Sequence, residues 1–453
     1  MYYRVALLES NLIQSTPPRR EPQIVARADH AISRSAISEA ALKVLYRLSN
    51  AGYQAFLVGG GVRDLLLGRE PKDFDIATDA HPDQVRELFR NCRLIGRRLR
   101  LAHVRFGREI IEVATFRGSD ADQIEDHDED PDRVIKDGRI LRDNVYGTLD
   151  DDVWRRDFTI NALYYNIKDF SVVDYVGGVA DLQAGRLRLI GDPERRLRED
   201  PVRMLRAVRF AVKLGFQIDA DTQRPFPTLA PLLRDIAPAR LFEEMLKLFH
   251  GGYALQTLEA LRHHGLFGLI FPLTEEALAE EEGGFPHLLI AKAMANTDQR
   301  LAEDKPVTPA FLIAALLWYP FRRRALALEA EGLTPLLAQR DAADEVLAQQ
   351  IALVALPRRF TQVAREIWQM QGQLERRLRR NAVRMLQSER FRAAYDFLVL
   401  RAAAGEPVQD AADWWTEFQH GDATSRDEMV TGLDAAPKRS RRRRRPRRKR
   451  ATE

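Results

Sequence analysis

LVGGGVRDLLLGREPKDFDIA, residues 57–77, is the segment around which the rest of this 453-residue chain is arranged. Side chains alternate between the two faces of a strand, so Asp73 and Asp75 would project together if Phe74 lies in a strand. Neighbouring carboxylates repel each other unless a cation lies between them, and Mg²⁺ prefers oxygen ligands while keeping positions for water and substrate phosphates. The pair therefore predicts a metal site.

Three consecutive glycines precede this pair. They follow a predicted strand at residues 55–58 and would let backbone N–H groups of the next helix approach an anion, so we interpret Gly60 and Gly61 as a phosphate cradle. Alone, each motif is more often a solvated carboxylate pair or an ordinary turn, but the order strand, glycines, helix and D-x-D is more specific. The chain contains no G-x-x-x-x-G-K-[ST] sequence, which excludes a P-loop.

Composition excludes several classes of protein. The single cysteine, Cys92, excludes an internal disulfide and a cysteine-based zinc cluster, and it fits a reducing compartment. The first residues lack the basic-then-apolar order of a signal peptide, and the longest apolar run, residues 311–319, is too short to cross a bilayer. We expect a cytoplasmic protein with no integral membrane association.

Basic charge is concentrated in one segment near the end of the chain. Residues 437–450 hold eleven Lys or Arg and no acidic residue, so the remainder carries a net charge of −7 where the whole chain carries +4. Such a run repels itself and cannot bury a core, which predicts disorder. Counterion release would make it a salt-sensitive binder of nucleic acid, with anionic lipid as the competing partner.

A predicted hairpin, with strands near residues 102–106 and 110–116, supplies a third carboxylate. Glu112 stands between Ile111 and Val113, so its side chain faces away from theirs. If the apolar neighbours face the core, Glu112 faces the same cleft as the aspartates and would be a third metal ligand. The alternative is a surface glutamate on a half-buried strand.

Local signals predict the remaining elements in outline. Apolar spacing after Ser38 predicts a helix, and Pro82 predicts the start of another. From Pro193 the chain is expected to be mostly helical, with Trp414 and Trp415 in the last packed helix. Further strands are expected at residues 163–167 and 171–175, and breaks between helices near residues 251–252, 283–284, 320 and 357.

Arg155, Arg156 and Asp157 place charge beside the start of an apolar run. Arginines there could hold triphosphate oxygens by forked hydrogen bonds, while Asp157 could bind a ribose hydroxyl or a metal-bound water. An N-terminal helix cap with flanking surface charge explains the same residues equally well.

Glu199, Asp200 and Arg203 form another charged group, in which Pro201 predicts a helix start with acids in its first turn. Their spacing of three and four residues would brace them into a fan that reads the Watson–Crick edge of a base. A helix-stabilising salt bridge is the alternative. Nothing in these residues selects adenine.

Two kinds of charged segment remain. Residues 118–139 are rich in acids and predict a mobile surface loop, in which His127–Asp128 raises a metal phosphohydrolase as a minor alternative. The basic segments would track an RNA backbone and stack on bases, or form solvated faces of amphipathic helices. They lie at residues 357–360, 376–380 and 390–401.

Together these motifs resemble the bacterial poly(A) polymerases, members of the class II nucleotidyltransferase superfamily that also contains the CCA-adding enzymes. The resemblance extends over residues 38–420 and implies an α+β fold class. A small mixed-sheet nucleotidyltransferase head would precede a mostly helical neck, body and leg, with disordered termini. The motifs that carry it are LVGGGVRDLLLG, KDFDIAT, EVATFRG, RRDFTINALYY, DYVGG and REDPVRMLRAVRF, and the arginine-rich tail is also typical of the family.

The resemblance implies five segments along the chain. They are a disordered leader (1–37), a catalytic nucleotidyltransferase head (38–190), a helical neck that binds the base and RNA (191–250), an RNA-binding body and leg (251–420), and a disordered arginine-rich tail (421–453).

The resemblance also implies roles for individual residues. Asp73 and Asp75 would hold catalytic Mg²⁺, or Mn²⁺, with Glu112 as the third carboxylate, and Asp157 would join the catalytic residues. AMP would pass from ATP to an RNA 3′-hydroxyl by a two-metal, in-line reaction that releases pyrophosphate. The implied nucleotide-binding residues are Gly60, Gly61, Arg63, Asp64, Arg155, Arg156, Glu199, Asp200 and Arg203.

RNA 3′ ends and ATP are therefore the expected partners, RNA chaperones and RNA-decay proteins are implied by the resemblance, and DNA is not expected. Residues 94–104, LIGRRLRLAHV, resemble the signature that separates the polymerases from CCA-adding enzymes, but Leu99 stands where an aromatic residue is expected. A CCA-adding tRNA nucleotidyltransferase is the nearest alternative, and a non-catalytic RNA-binding protein is the alternative of another class.

Overall fold

The structure is a computed structural model that describes residues 21–96, 100–118, 133–136, 139–143, 145–279, 288–377 and 379–435. The chain forms two compact units. The first comprises Met1–Arg203 and Leu214–Pro225, and the second comprises Met204–Lys213 and Phe226–Glu453. A mixed sheet followed by helices confirms the predicted α+β class.

The first unit contains all the described strands. They are β1 (Gln23–Val25), β2 (Ala55–Val58), β3 (Asp75–Thr78), β4 (Cys92–Ile95), β5 (Leu101–Phe106), β6 (Glu109–Thr115), β7 (Arg133–Lys136), β8 (Arg139–Asp143), β9 (Leu163–Asn166), β10 (Val172–Asp174), β11 (Arg186–Leu187) and β12 (Gln217–Ile218). Its helices are α1 (Glu39–Asn50), α2 (Gly60–Leu66), α3 (Pro82–Leu88), α4 (Leu149–Trp154), α5 (Gly178–Gln183), α6 (Pro193–Glu199) and α8 (Ala220–Gln223), while α7 (Val202–Leu214) belongs to both units.

Eight of these strands form one sheet in the order β1-β10-β9-β2-β3-β6-β5-β4, in which only β3 and β6 run parallel. One register row crosses five of them: Tyr164 on β9, Val58 on β2, Asp75 on β3, Glu112 on β6 and His103 on β5. Directly opposed residues share a face of the sheet, so these five side chains, which we call the carboxylate row, project together.

Helix α1 covers the other face of the sheet. Ser38 caps it by accepting a bond from the Ala41 amide, and the apolar residues whose spacing predicted the helix are buried against β2, β3 and β6. Ile111 and Val113 are also buried, which leaves Glu112 on the opposite face and confirms the alternation expected for β6. Pro82 is the first residue of α3, also as predicted.

The predicted disordered leader is wrong for residues 21–37. Strand β1 pairs antiparallel with β10 at the edge of the sheet, and Ile32 and Ile37 are buried. The segment lacks apolar periodicity, which is why disorder was predicted. It is ordered instead by pairing with the edge of the sheet, and a local sequence pattern does not reveal such a pairing. Residues 1–20 lie outside the described residues.

The second unit is helical throughout its described residues. Its helices are α9 (Phe226–Leu229), α10 (Pro238–Phe249), α11 (Ala254–His263), α12 (Phe267–Ile270), α13 (Pro272–Ala279), α14 (Leu288–Ala302), α15 (Pro309–Leu316), α16 (Trp318–Ala330), α17 (Pro335–Leu353), α18 (Arg358–Arg376), α19 (Arg379–Leu386), α20 (Phe391–Ala403), α21 (Gln409–His420) and α22 (Ala423–Ala435). No helix in the described ranges combines the length and apolarity needed to cross a membrane.

Three predicted breaks in this unit are confirmed. Residues 251–252 lie between α10 and α11, and Pro357 immediately precedes α18. The break near Pro320 falls at Leu317, between α15 and α16, and Pro320 itself lies in the first turn of α16, where a missing N–H removes no intrahelical bond. The break predicted at residues 283–284 lies outside the described residues.

Disorder from residue 421 onward is also wrong for part of that segment, because α22 follows α21. Val430 of α22 is buried in one apolar cluster with Trp415 and Phe418 of α21. Met429 also packs against this cluster, so α21 is not the last packed helix, and the polar composition after residue 421 gives no local signal for these contacts. The strongly basic residues 437–450 lie outside the described residues.

We expect truncation after Gly421 to lower the thermal midpoint, because it removes α22 and uncovers Trp415 and Phe418. Truncation after Ala435 keeps this contact and is the matched control. Scanning fluorimetry of the two proteins and the full chain makes the comparison. Equal midpoints for both truncations would contradict the packing of α22.

Candidate active site

Asp75 and Glu112 are adjacent on the parallel strands β3 and β6. Burial, with the negative charges of Glu112 and Asp73, raises the pKa of Asp75 to about 6, while the charge of Arg156 opposes them. Asp75 still keeps solvent-accessible surface. The arrangement is a group of mutually repelling carboxylates next to one arginine.

Asp73 reaches this group without lying in a strand. The condition that Phe74 lies in a strand is not met, because β3 begins at Asp75. The neighbouring strand β2 ends at Val58, opposite Asp75, so Asp73 has no pairing partner on β2. The shared face predicted from strand alternation is therefore replaced by a loop that holds Asp73 close enough to influence Asp75.

The glycines form a sharp turn beside these carboxylates. Gly59 has φ 68° and ψ −132°, a conformation that favours glycine, and α2 begins at Gly60. A Cβ atom built on Gly59 would lie 3.4 Å from Nη1 of Arg156, and one built on Gly61 would lie 3.4 Å from the carbonyl oxygen of Asp73. The turn thus brings α2 up to both the carboxylates and Arg156.

Arg63 and Asp64 are buried beneath this turn. Nε and Nη2 of Arg63 donate to Oδ1 of Asp64 at 2.9 and 2.7 Å, and Nη1 donates to Oδ1 of Asn161 at 2.7 Å. Nδ2 of Asn161 in turn donates to Oδ1 of Asp157 at 3.2 Å. With Arg63 only 2% exposed, this chain of bonds ties α2 to the segment of Asp157. Asn161 belongs to the motif RRDFTINALYY, but its side-chain role was not predicted.

Arg155 and Arg156 share one buried carboxylate, Asp152 of α4. Arg155 donates to Oδ1 through Nε and Nη2, with the Nε bond at 2.8 Å, and Arg156 donates to Oδ2 from Nη2 at 3.0 Å. Burial raises the pKa of Asp152, but Arg156, Arg155 and the hydroxyl of Tyr164 overcome this and hold it at about 2. The N-terminal cap proposed as an alternative is wrong, since Arg155 follows the C-terminus of α4.

Glu199, Asp200 and Arg203 do come together, but not on one helix. Helix α6 ends at Glu199 and α7 begins at Val202, which confirms a helix start at Pro201, but the acids precede the first turn of α7 and do not lie in it. Asp200 leaves the helical conformation before Pro201, as residues preceding proline tend to do. The salt-bridge alternative has support, because Oε2 of Glu199 lies 3.4 Å from Nη1 of Arg203.

Arg196, which sequence reasoning missed, links this group to the two arginines. Its Nη1 donates to Oε2 of Glu199 at 2.8 Å, and its Nη2 donates to the carbonyl oxygens of Arg155 and Arg156 at 2.8 and 2.7 Å. Burial and the charge of Arg203 lower its pKa. Its sequence neighbours are also arginines, so no local signal distinguished it.

The donor chemistry of the site suits a divalent cation. Within the described part of the chain, no three Asp, Glu, His or Cys side chains converge as a ready ligand set. Mg²⁺ is commonly held by only one or two carboxylates together with waters and substrate phosphates, so Asp75 and Glu112 meet that need.

The signature segment 94–104 is described except for residues 97–99, and His127–Asp128 lies outside the described residues.

We expect Asp75→Asn to raise the thermal midpoint of the metal-free protein at pH 8. The pKa of about 6 in the folded state exceeds the unfolded value of about 4, so ionised Asp75 destabilises the fold above pH 6 and not below pH 4. The gain should therefore disappear near pH 4. Asp79→Asn is the control, because Asp79 accepts a bond from the Gln54 amide at the other end of β3. A gain independent of pH would contradict the assignment.

Comparisons with known proteins agree with these features. A model of the poly A polymerase head domain matches residues 55–188, one described as a probable RNA and SrmB-binding site of polymerase A matches residues 215–278, and one of the polymerase A arginine-rich C-terminus matches residues 331–449.

Individual relatives point the same way. The CCA-adding enzyme of Bacillus pumilus is 37% identical over 55% of this chain and 59% of its own length. The crystal structure of the Bacillus stearothermophilus CCA-adding enzyme in complex with CTP has a TM-score of 0.54 at 25% identity, covering 88% of this chain and 91% of that one. Poly(A) polymerase I of Salmonella typhi is 49% identical over 98% of this chain and 96% of its own. The chain therefore belongs to the bacterial poly(A) polymerase I family of nucleotidyltransferases.

Proposed function

We propose that this chain adds AMP from ATP to RNA 3′-hydroxyl ends without a template. The observation that carries the proposal is the adjacent pair Asp75 and Glu112, set beside a glycine turn and Arg156 in a chain that aligns over its whole length with a poly(A) polymerase I. Two adjacent carboxylates that repel each other destabilise the fold, so we would not expect a family member without catalysis to retain them. This counts against the non-catalytic RNA-binding alternative.

We propose that Asp73, Asp75 and Glu112 hold Mg²⁺, with Mn²⁺ as the alternative ion. A cation would relieve the repulsion that raises the pKa of Asp75. When bound there, it supplies Lewis acidity at the α-phosphate and neutralises charge on the departing pyrophosphate.

The chain's own groups would hold and align the nucleotide. The backbone amides of Gly60 and Gly61, with Arg155 and Arg156, would bind phosphate oxygens, while the buried pair Arg63 and Asp64 would brace the turn beneath them. We further propose that Asp157 binds the ribose, and that Glu199, Asp200 and Arg203 contact the base. Alignment and charge neutralisation would account for the acceleration without a covalent intermediate.

Preference for ATP is supported by family membership alone. Nothing in Glu199, Asp200 and Arg203, the residues proposed to contact the base, selects adenine. A CCA-adding activity is the second candidate, because the chain also aligns with CCA-adding enzymes. That alignment spans only about half the chain, so this activity ranks second. We also propose a cytoplasmic location, and RNA chaperones and RNA-decay proteins as partners.

We expect Asp73→Ala and Asp75→Ala to abolish AMP addition while RNA binding stays near the wild-type level, because the carboxylates act on the reaction and not on the RNA. Glu112→Gln should slow the reaction strongly. Glu109→Gln is its matched control on the same strand, because Glu109 is exposed and three residues away. A primer-extension gel with Mg²⁺ reports the rates, and wild-type elongation by either aspartate variant would refute the metal assignment.

The same gel separates the two candidate activities. A polymerase should extend an unstructured RNA with ATP into long products. A CCA-adding enzyme should instead act on a tRNA lacking its CCA end, with CTP incorporation limited to two additions. The second pattern would replace the proposed function.

We expect truncation after Ala435 to weaken RNA affinity and to flatten the slope of log affinity against log salt. It removes eleven Lys or Arg while keeping α22, so the effect is separate from folding. Fluorescence anisotropy of a labelled RNA over a salt series provides the slope. An unchanged slope would show that residues 436–453 do not contact RNA.

A further inference from the structure

We propose that Asp152 and Tyr164 are positioning residues for the phosphate end of the nucleotide, and that they act through Arg156. The inference rests on the proposed function, in which Arg156 contacts the phosphates. Neither residue would touch the nucleotide itself.

Arg156 is held from two sides. Its Nε donates to the hydroxyl oxygen of Tyr164 at 2.7 Å and to Oδ2 of Asp152 at 3.2 Å, while Nη2 donates to the same carboxylate oxygen at 3.0 Å. The Tyr164 hydroxyl also donates to Oδ2 of Asp152 at 2.7 Å, which closes a three-membered network. Nη1 donates to the carbonyl oxygen of Asn161 at 3.4 Å and lies on the side of the glycine turn, 3.4 Å from a Cβ atom built on Gly59.

The register of the sheet sets the distance between this arginine and the carboxylates. Tyr164 belongs to the carboxylate row and lies two strands from Asp75, which corresponds to roughly 10 Å at the usual spacing between strands. An arginine anchored on Tyr164 is therefore close enough to lower the pKa of Asp75 without pairing with it. Phosphates bridging from the glycine turn to a cation on Asp75 would pass between them.

Asp152 also opposes a competing interaction. A long, flexible arginine facing Asp73, Asp75 and Glu112 would be drawn towards them by Coulomb attraction and would compete with a cation. Asp152 is 1% exposed, and its two oxygens are divided between Arg155 and Arg156. A buried carboxylate bonded to both arginines keeps them in place before the nucleotide arrives, while its single negative charge leaves the two cations with a net positive charge.

A purely structural role for this network would give a different result in one measurement. If Asp152 and Tyr164 only stabilise the fold, their loss should weaken all nucleotides alike. If they position Arg156 for the outer phosphates, their loss should lower the affinity for ATP, which carries those phosphates, much more than the affinity for AMP, which lacks them.

The test compares the affinities of the full-length protein for ATP and AMP by isothermal titration with Mg²⁺. We expect Asp152→Asn and Tyr164→Phe to lower the affinity for ATP by about tenfold or more, the usual effect of losing a hydrogen bond to a charged group. The affinity for AMP should change by less than about twofold. KM for ATP should rise more than kcat falls. Asp152→Glu should restore part of the ATP affinity, because it returns the charge at nearly the same place.

Two matched controls separate this effect from general destabilisation. Asp181→Asn removes another buried aspartate bonded to an arginine and a hydroxyl, since Asp181 accepts from Arg188 and Thr159. Tyr165→Phe removes the neighbouring hydroxyl, which has no hydrogen-bond partner among the described residues. Both should keep the wild-type ratio of ATP to AMP affinity.

An unchanged ratio in Asp152→Asn and Tyr164→Phe, or an equal loss for both nucleotides, would overturn the inference. If Asp152→Asn fails to fold, Tyr164→Phe decides alone, because it keeps the ring and removes only the hydroxyl. Failure of the wild-type protein to extend RNA with ATP would instead refute the proposed function, so the two failures are distinguishable.

Discussion

Repulsion between Asp75 and Glu112 is the constraint on which the described site depends. The two residues are adjacent because β3 and β6 are the only parallel neighbours in the main sheet, and their register aligns them. Folding must therefore hold two like charges together, and burial together with the charge of Glu112 raises the pKa of Asp75 to about 6. Such an arrangement stores unfavourable energy that a cation and a substrate can release, as functional sites commonly do.

The positive charge of Arg156 partly offsets the repulsion between the carboxylates, and hydrogen bonds hold the surrounding arginines in place. Arg156 is bonded to Asp152 and Tyr164, and Arg196 is bonded to the backbone beneath Arg155 and Arg156. Because these contacts join α4, α6 and β9, the cations are fixed by the same packing that forms the sheet. Positive charge is thereby available to phosphates without collapsing onto the carboxylates.

Local patterns predicted well what depends on neighbours in the chain. The helix after Ser38, the strand β2 and the outward face of Glu112 follow from apolar spacing with a period of 3.6 or two residues. Predictions failed where a distant partner decides the conformation. Strand β1 is ordered by β10, and Val430 in α22 is buried by α21, although neither segment has a strong local signal.

The sequence by itself determined the family, the glycine turn and the identity of the carboxylates, because these reside in residue types and their spacing. Tertiary structure alone decided which groups meet. Asp73 joins Asp75 from a loop and not from a strand, since β2 ends opposite Asp75. Tyr164 and Arg196 meet Arg155 and Arg156 only through strand register and helix ends, because these hydrogen bonds depend on distance in space, whereas Asp152 lies only three and four residues before the two arginines in the chain.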